Sequence, residues 1–318
     1  MRSGKTGSGT IATFVVVDWG TSSFRSWLLS AEGTALAESR GGEGMLHCAA
    51  AGAGGTGFAA VLRDHLVRLG AAAGTPVLIC GMAGARQGWA EAPYLDTPTR
   101  LDALHEGARR VDVPGDIRIL PGIAQTRTER PDVMRGEETQ LLGVTESDFS
   151  GLVCIPGTHS KWVTIDAGTI TGFSTYMTGE LFAVLSQHSI LAHAVEATAA
   201  AAVDEAAFRA GLAAALAEPT ALPASLFRLR AAQLLGFEQR ADGAARLSGL
   251  LIGGELADVI RQHGPRSVRL IGAGALGRLY EAALLAQGLA VTMIDAEDAS
   301  RRGLARAAVA IWGTKETT

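Results

Sequence analysis

The sequence predicts an α/β protein made of two domains. Its 318 residues exceed the usual size of a single hydrophobic core, so two domains are expected. Short β-prone runs alternate with stretches whose apolar residues recur at helical spacing. Two β-hairpins with small polar tips are predicted, one in each half of the chain. We therefore expect domains over residues 11–147 and 148–318, and we leave open that the last helix packs back on the first domain.

Composition argues against several classes of protein. A net charge of −4 and a pI of about 6.0 give no electrostatic reason to expect binding to nucleic acid or to an anionic membrane. Hydrophobic residues make up 47% of the chain, yet no run reaches the roughly 18 apolar residues of a membrane span. The cysteines Cys48, Cys80 and Cys154 are odd in number and widely spaced, which favours reduced thiols in a cytoplasmic protein. Residues 1–10 are polar, lack the apolar core of a signal peptide, and are predicted to be a disordered tail.

The first hairpin, residues 15–29, has a polar tip that is typical of a binding turn. Gly20 lets the backbone approach a ligand closely, and Thr21 and Ser22 offer hydroxyl and backbone N–H donors. Asp18 is well placed to orient a hydrated Mg²⁺, which prefers oxygen ligands and keeps its water. The alternative is an ordinary turn in which Asp18 and Thr21 hydrogen-bond their own backbone.

A second candidate site lies in a loop after a predicted buried strand at residues 77–80. Small residues, Arg86 and Trp89 follow that strand, as in substrate-facing loops at the carboxyl ends of strands. Arg86 could bind a carboxylate through two parallel hydrogen bonds. A surface salt bridge explains Arg86 equally well. The Gly- and Ala-rich residues 41–57, earlier in the chain, are predicted to form a flexible loop.

Two adjacent acids open a predicted apolar helix directly after Arg135 and Gly136. A carboxylate in this place could accept the proton of a substrate hydroxyl, which makes Glu137 and Glu138 competing candidates for a catalytic base. The helix macrodipole favours acids in the first turn of any helix, and that explanation stays open.

The second hairpin repeats the small polar tip of the first. Its tip residues are Gly157, Thr158 and Ser160. Lys161 adds a positive charge beside them. Two such phosphate-binding hairpins, one per half, indicate an internal duplication with a nucleotide held between the halves. The chain that follows is predicted to be helical and broken by Pro219 and Pro223.

A glycine-rich turn near the C-terminus has two interpretations. A predicted strand leads into a G-x-G-x-x-G turn at residues 272–277 and a helix, and Asp295 ends the next strand. This pattern fits the dinucleotide fingerprint, so an NAD-dependent oxidoreductase is one alternative. Too little chain follows Asp295 for the remaining strands of a dinucleotide domain. The turn therefore favours adenosine lying close to Gly272, Gly274 and Ala275.

Four motifs together resemble the 2-dehydro-3-deoxygalactonokinase family of the sugar kinase, actin and heat-shock ATPase superfamily. They are DWGTS at 18–22, GARQGW at 84–89, RGEETQ at 135–140 and PGTHSKW at 156–162. The two hairpins and the C-terminal turn are similar to the phosphate-1, phosphate-2 and adenosine motifs of that superfamily. The resemblance extends from about residue 15 to about residue 313, and the motifs are specific only in combination.

The resemblance implies two ribonuclease H-like domains that close over a nucleotide cleft. It also implies ATP- and Mg²⁺-dependent phosphorylation of 2-dehydro-3-deoxy-D-galactonate at its 6-hydroxyl, a step of galactonate breakdown. In related kinases the base is an Asp in a Gly-Asp-Asn segment, and the matching place here is Gly136-Glu137, with Glu138 as the competitor. A non-catalytic, sugar-sensing ATPase of the same fold is an alternative.

The resemblance assigns a role to each candidate residue. Glu137 takes the proton, and Asp18 holds Mg²⁺ through water. The residues implied to bind ATP are Gly20, Thr21, Ser22, Gly157, Thr158, Ser160, Lys161, Gly272, Gly274 and Ala275. Since the carboxylate of the substrate needs cationic partners, the candidates to bind the sugar acid are Arg86 and Arg135, then Arg25, together with Trp89. The expected partners are therefore ATP and a small sugar acid, and a homodimer is left open.

Overall fold

A computed structural model describes residues 13–51, 55–196 and 206–313 of the chain. The predicted disordered tail, residues 1–10, lies outside the described residues. The chain forms two compact units. The first unit comprises the described residues of Met1–Phe149, Ala167–Ile170 and Glu297–Thr318, and the second comprises those of Ser150–Asp166 and Thr171–Ala296.

Both units contain strands and helices. The strands are β1 (Thr13–Trp19), β2 (Phe24–Ser30), β3 (Ala35–Gly41), β4 (Val77–Gly81), β5 (Tyr94–Asp96), β6 (Thr99–Arg100), β7 (Arg109–Arg110), β8 (Ile117–Ile119), β9 (Gly122–Gln125), β10 (Asp132–Met134), β11 (Gly151–Ile155), β12 (Ser160–Asp166), β13 (Thr169–Tyr176), β14 (Val268–Gly272) and β15 (Val291–Asp295). The α-helices are α1 (Met45–Ala50), α2 (Thr56–Arg68), α3 (Glu137–Val144), α4 (Thr178–His188), α5 (Ala206–Ala217), α6 (Leu222–Leu234), α7 (Arg240–His263), α8 (Gly274–Leu285) and α9 (Ala296–Trp312). Short 3₁₀ helices span Met82–Gly84, Leu101–Gly107, Ile190–His193 and Pro219–Ala221.

The first unit is built on a six-stranded sheet in the order β3-β2-β1-β4-β8-β7. β1 and β2 form the predicted hairpin, with Trp19 opposite Phe24. β4 and β8 continue the sheet in parallel with β1. The apolar run from Phe14 to Val17 is almost completely buried, as expected for a strand covered on both faces. A small second sheet, β10-β9-β5, also belongs to this unit.

The second unit repeats the strand arrangement of the first. Its five strands lie in the order β15-β14-β11-β12-β13. β11 and β12 pair antiparallel as the predicted second hairpin, and β14 and β15 continue in parallel. Both units thus carry an antiparallel meander followed by two parallel strands, which is the duplication that the two polar-tipped hairpins predict.

The long helices of the second unit supply most of its core. α5 packs along α7, where Gly211 and Gly249 lie so close to the facing backbone that a Cβ on either would come within 2.4 Å of a carbonyl oxygen. Among the described residues, no single helix is long and apolar enough to cross a membrane. One pair, Ala206–Ala217 with Pro219–Leu234, meets the length and composition test only when the two are joined across a 112° bend.

Candidate functional site

The tip of the first hairpin is fixed by its own backbone and by α1. The N–H of Gly20 donates to the carbonyl oxygen of Ser23 over 2.9 Å. The N–H groups of Met45 and Leu46, in the first turn of α1, donate to the carbonyl oxygens of Gly20 and Thr21. The side chains of Thr21 and Ser22 are exposed. The turn is therefore held by its carbonyl groups, while its hydroxyl groups face solvent.

Part of the loop predicted at 41–57 is the helix α1, so that prediction is wrong for Met45–Ala50. The close packing explains the glycine just before this helix. A Cβ on Gly44 would lie 2.5 Å from the backbone of Ser22. Only glycine lets the start of α1 come near enough to donate to the turn.

Asp18 lies at the end of β1 among groups from three other elements. In the sheet it is opposite Arg25 of β2 and opposite Cys80 of β4. Its carboxylate is 3.9 Å from the Arg25 guanidinium and accepts a hydrogen bond from Ser300 of α9. Burial raises the pKa of Asp18, and Arg25 and Ser300 partly oppose that shift. The side chain is still 20% exposed, so a ligand can reach it.

Arg25 is predicted to bind the sugar acid, and the structure places it between two carboxylates. Besides Asp18, its guanidinium lies 3.9 Å from Glu297 of α9. Glu297 also accepts two hydrogen bonds from Arg40 of β3, at 2.5 and 2.8 Å. The charge of Arg25 therefore faces protein carboxylates in this structure.

The start of α3 brings the two candidate bases to the same sheet edge as Asp18. Gly136 has a φ of +111°, a conformation that favours glycine, and its Cβ position is 3.5 Å from the Cα of Gly81 at the end of β4. Both carboxylate oxygens of Glu138 accept from the Gly136 N–H, at 2.8 and 2.9 Å. One oxygen of Glu137 accepts from the backbone N–H of Arg135 at 3.0 Å.

Glu137 and Glu138 differ sharply in environment. Glu138 is completely buried, and burial together with the neighbouring Glu137 raises its pKa to about 8. Glu137 keeps part of its surface in contact with solvent. Of the two candidates, therefore, only Glu137 is accessible to a substrate. Glu138 is shut off from solvent, and its burial favours the protonated form.

The Arg135 guanidinium is buried and incompletely paired. Its Nη2 donates to the carbonyl oxygen of Ala92 at 2.9 Å, and its Cζ lies 4.2 Å from the centre of the Tyr94 ring. Its Nε and Nη1 atoms are buried and have no hydrogen-bond partner among the described residues. A buried guanidinium with two unmatched donors is costly unless an acceptor, such as a carboxylate, completes it.

The two loop residues predicted beside β4 have different surroundings. The Arg86 side chain is 82% exposed and lies 3.5 Å from the exposed Glu91. Trp89 instead packs in the aromatic core of the first unit, stacked on Phe58 and edge-on to Trp19. Arg86 is therefore open to solvent, while Trp89 packs against the Trp19 side chain of β1.

The tip of the second hairpin is packed against the start of α4. The N–H of Glu180 donates to the carbonyl oxygen of Thr158 at 2.9 Å. A Cβ on Gly179 would lie 2.4 Å from the carbonyl oxygen of Gly157, so a side chain there would collide with the turn. Exposed His159 next to them is 2.5 Å from the Glu180 carboxylate. The position of this turn thus depends on the position of α4.

Ser160 and Lys161, predicted to contact phosphate, are both buried at the start of β12. The Ser160 hydroxyl donates to the carboxylate of Glu255 in α7 at 2.6 Å. In this structure Ser160 therefore holds the hairpin to α7 instead of pointing to solvent.

The glycine-rich turn joins β14 to α8 as predicted. Gly274 has a φ of +59°, and a Cβ on Gly272 would lie 3.2 Å from the Cα of Gly277. Ala275 is exposed on the first turn of α8. After β15 the described chain continues only as α9, so the further strands of a dinucleotide domain do not follow there.

Three residues at these sites were not found from the sequence: Ser300, Glu297 and Glu255. Each lies inside a helix and meets its partner from a distant segment. The helical pattern of the sequence shows only that these positions are polar. No local motif around them indicates a functional role. Their contacts become visible once the fold brings the helices onto the sheets.

Comparisons with known proteins identify the family of the chain. Residues 18–307 match the family model for 2-keto-3-deoxy-galactonokinase. A protein of Rhizobium meliloti (strain 1021), named probable 2-dehydro-3-deoxygalactonokinase, is 48% identical over 95% of this chain and 99% of its own length. The 2-dehydro-3-deoxygalactonokinase of Escherichia coli (strain K12) is 36% identical over 94% of this chain and 99% of its own.

Solved structures extend the similarity to the fold. A crystal structure of a Sinorhizobium meliloti protein assigned as a 2-dehydro-3-deoxygalactonokinase has a TM-score of 0.90 and 48% identity, over 95% of this chain and 100% of that one. The activator of 2-hydroxyisocaproyl-CoA dehydratase from Clostridium difficile, with bound ADPNP, has a TM-score of 0.51 at 11% identity and covers 96% of this chain and 99% of its own. The second likeness concerns the fold alone, an α/β architecture of the actin-like ATPase and sugar kinase type. The chain belongs to the 2-keto-3-deoxy-galactonokinase family.

Proposed function

We propose that this protein is an ATP-dependent kinase that phosphorylates the 6-hydroxyl of 2-dehydro-3-deoxy-D-galactonate, giving the 6-phospho sugar acid and ADP. The names of the relatives support the substrate. The observation that carries the proposal is the segment Arg135-Gly136-Glu137 at the start of α3. There Arg135 has a buried guanidinium with two unpaired donors, and Glu137, two residues later, has an accessible carboxylate.

This segment offers the two groups that a sugar acid needs, a cation for its carboxylate and an accessible base for its hydroxyl. Glu137 is bound to the backbone N–H of Arg135, close to the Cα of that residue. We propose that the carboxylate of the substrate pairs with the Arg135 guanidinium and that its 6-hydroxyl reaches Glu137. Arg86, Arg25 and Trp89 remain further candidates for the sugar-acid site.

We assign the role of base to Glu137. A base must be ionised and must reach the hydroxyl. Glu138 fails both requirements near pH 7, because it is completely buried and its pKa is raised to about 8. Its hydrogen bonds to Gly136 instead hold the start of α3 in place.

We assign ATP binding to the two hairpin tips and to the turn at 272–277. Thr21, Ser22, Gly157 and Thr158 would donate to phosphate oxygens, with Lys161 adding charge, and Gly272, Gly274 and Ala275 would let adenosine approach the backbone. Phosphoryl transfer depends mainly on positioning and on neutralising the phosphate oxygens, so such donors suffice without covalent catalysis. That the nucleotide lies between the two domains stays a prediction.

Asp18 suits a magnesium ion held largely by water and phosphate. No group of three or more His, Cys, Asp or Glu residues forms a metal cluster in the described part of the chain, so a cage made only of protein ligands is absent there. Mg²⁺ in phosphoryl-transfer sites commonly uses one or two carboxylates. When bound, Mg²⁺ neutralises charge on the phosphate oxygens. We also propose a cytoplasmic location, since Cys48, Cys80 and Cys154 are all free and buried.

The decisive experiment is a coupled ADP-release assay with Mg²⁺, ATP and a panel of sugar acids, run beside a thermal-shift panel with ATP and NAD. We expect turnover with 2-dehydro-3-deoxy-D-galactonate and stabilisation by ATP. Stabilisation by NAD alone would favour the oxidoreductase alternative. ATP binding without turnover of any sugar acid would favour a sugar-sensing ATPase.

A further inference from the structure

One carboxylate in the second unit accepts four hydrogen bonds from three other elements. Glu255 lies in the middle of α7 and is only 4% exposed. Its Oε1 accepts from the Ser160 hydroxyl and the Trp162 indole N–H, both at 2.6 Å. Its Oε2 accepts from the hydroxyl groups of Thr178 and Tyr280. An ionised carboxylate can accept about four such bonds, so this set fills its capacity.

Each donor belongs to an element that carries part of the proposed ATP site or packs directly on it. Ser160 and Trp162 begin β12, directly after the hairpin tip. Thr178 is the first residue of α4, which packs on that same tip. Tyr280 lies in α8, one helical turn after the glycine-rich segment at 272–277.

We propose that Glu255 is a positioning residue for ATP binding. It touches no ligand itself, and it fixes the hairpin tip, the start of α4 and the glycine-rich turn relative to one another. The inference rests on the proposed function, because it takes the hairpin tip and the glycine-rich turn as parts of the ATP site. Nothing in the family name or in the sequence motifs assigns a role to this residue.

Replacing the carboxylate by its amide tests the role with little change of shape. In Glu255→Gln the amide nitrogen donates and cannot accept, so the two donors on that side lose their acceptor. Hydrogen bonds to charged groups are worth more than neutral ones, and losing them should shift the three elements. We expect the Kd for MgATP, measured by titration calorimetry, to rise about tenfold or more. The KM for the sugar acid should stay within about twofold of wild type.

Two further variants separate positioning from general stability. Asp258→Asn changes a carboxylate one turn along α7 that bonds Tyr176, Arg261 and Gln262 instead, and we expect its ATP affinity to equal that of wild type. Tyr280→Phe removes one donor and leaves the buried ring in place. It should weaken ATP binding by a few-fold alone and add little in the Glu255→Gln background, because both act through the same contact.

The outcomes discriminate the two proposals. A folded Glu255→Gln protein with wild-type ATP affinity overturns the positioning role. So do equal rises of the Kd for MgATP and the KM for the sugar acid, or strictly additive effects with Tyr280→Phe. If Glu255→Gln does not fold, Tyr280→Phe decides alone. If the wild-type protein binds ATP but turns over no sugar acid, the kinase proposal is wrong. Calorimetry with the Glu255→Gln variant would still test the role of Glu255 in ATP binding.

Discussion

At the scale of single residues, Glu137 determines whether the proposed proton transfer can occur. Replacing Glu137 by Gln keeps the side-chain size and an oxygen for the Arg135 N–H, but removes the base. A positioned base contributes roughly 10²–10⁴-fold, so we expect kcat to fall by about that factor while MgATP binding persists. The coupled ADP-release assay and calorimetry measure the two effects. Glu129→Gln, on an exposed loop, is the matched control, and an unchanged kcat in Glu137→Gln would remove this residue from the role.

Glu138 should make the stability of the protein depend on pH. Its pKa is raised from 4.5 to about 8 by burial, so between these values the folded state binds a proton that the unfolded state has lost. The stability contributed by neutral Glu138 is therefore complete below about pH 4.5 and is lost as the pH rises toward 8. The side chain in Glu138→Gln stays neutral at every pH. We therefore expect the melting temperature of this variant, measured by circular dichroism, to decrease less across this pH window than that of wild type. Parallel curves would show that Glu138 is ionised in the folded protein.

Arg135 should control affinity for the sugar acid and not for ATP. Lysine keeps the charge in Arg135→Lys but loses the planar fork and the stacking on Tyr94. We expect the KM for the sugar acid to rise about tenfold or more, with the KM for ATP unchanged. Arg86→Ala is the comparison, since that side chain is open to solvent. A rise in Arg86→Ala as large as in Arg135→Lys would make Arg86 an equal partner of the carboxylate.

The sequence identified the chemical types of these residues better than their environments. The acids at the start of α3 could be named as candidate bases, but only burial separates Glu137 from Glu138. Ser160 resembles a phosphate ligand in the motif, yet its hydroxyl is used by Glu255, which lies far along the chain. Burial and long-range pairing are properties of the fold, and the helical or strand periodicity of the sequence does not predict them.

At the scale of elements, two glycines let α3 and α9 touch backbone to backbone. A Cβ on Gly303 would lie 1.8 Å from the carbonyl oxygen of Thr139, and one on Gly143 would lie 2.0 Å from that of Ala299. We expect Gly303→Ala to lower the melting temperature by several degrees, because backbone atoms must separate to admit the methyl group. Gly42→Ala, where a Cβ meets nothing within 4 Å, is the control. Equal melting temperatures for the two variants would contradict close contact between these helices.

Element types were predictable where the pattern was regular. Both hairpins and the strand, turn and helix at 272–277 form as predicted because their alternation and glycines are local signals. α1 was missed because a short Ala-containing run between glycines is also typical of a loop. Pro223 was expected to break the helical region, yet it lies in the first turn of α6, where its missing N–H costs nothing.

At the scale of the whole molecule, the end of the chain belongs to the first unit. From Glu297 onward, α9 packs on the strands and helices formed by the first half. The Trp312 ring is tilted by 39° against the ring of Phe14 in β1, and its indole N–H donates to Asp116 at 2.9 Å. Arg306 donates to the carbonyl oxygen at the end of α3, on Thr145, at 2.7 Å. The sequence leaves the place of this helix open, because an amphipathic helix fits the apolar surface of either unit.

We therefore expect the first unit to need α9 for its native structure. A chain ending at Asp295 lacks Ser300, the hydrogen-bond donor to Asp18, and Glu297, the bidentate partner of Arg40. It also exposes the backbone of α3 that Gly303 covers. Near-ultraviolet circular dichroism and amide hydrogen exchange should show loss of fixed aromatic packing and of protection in β1 and α3, together with loss of MgATP binding. A chain ending at Gly313 keeps every described residue of α9. It should retain the aromatic packing, the protection of β1 and α3, and MgATP binding. Native protection of β1 and α3 in the shorter chain would mean that the first 149 residues fold without α9 and that its contacts follow folding instead of stabilising it.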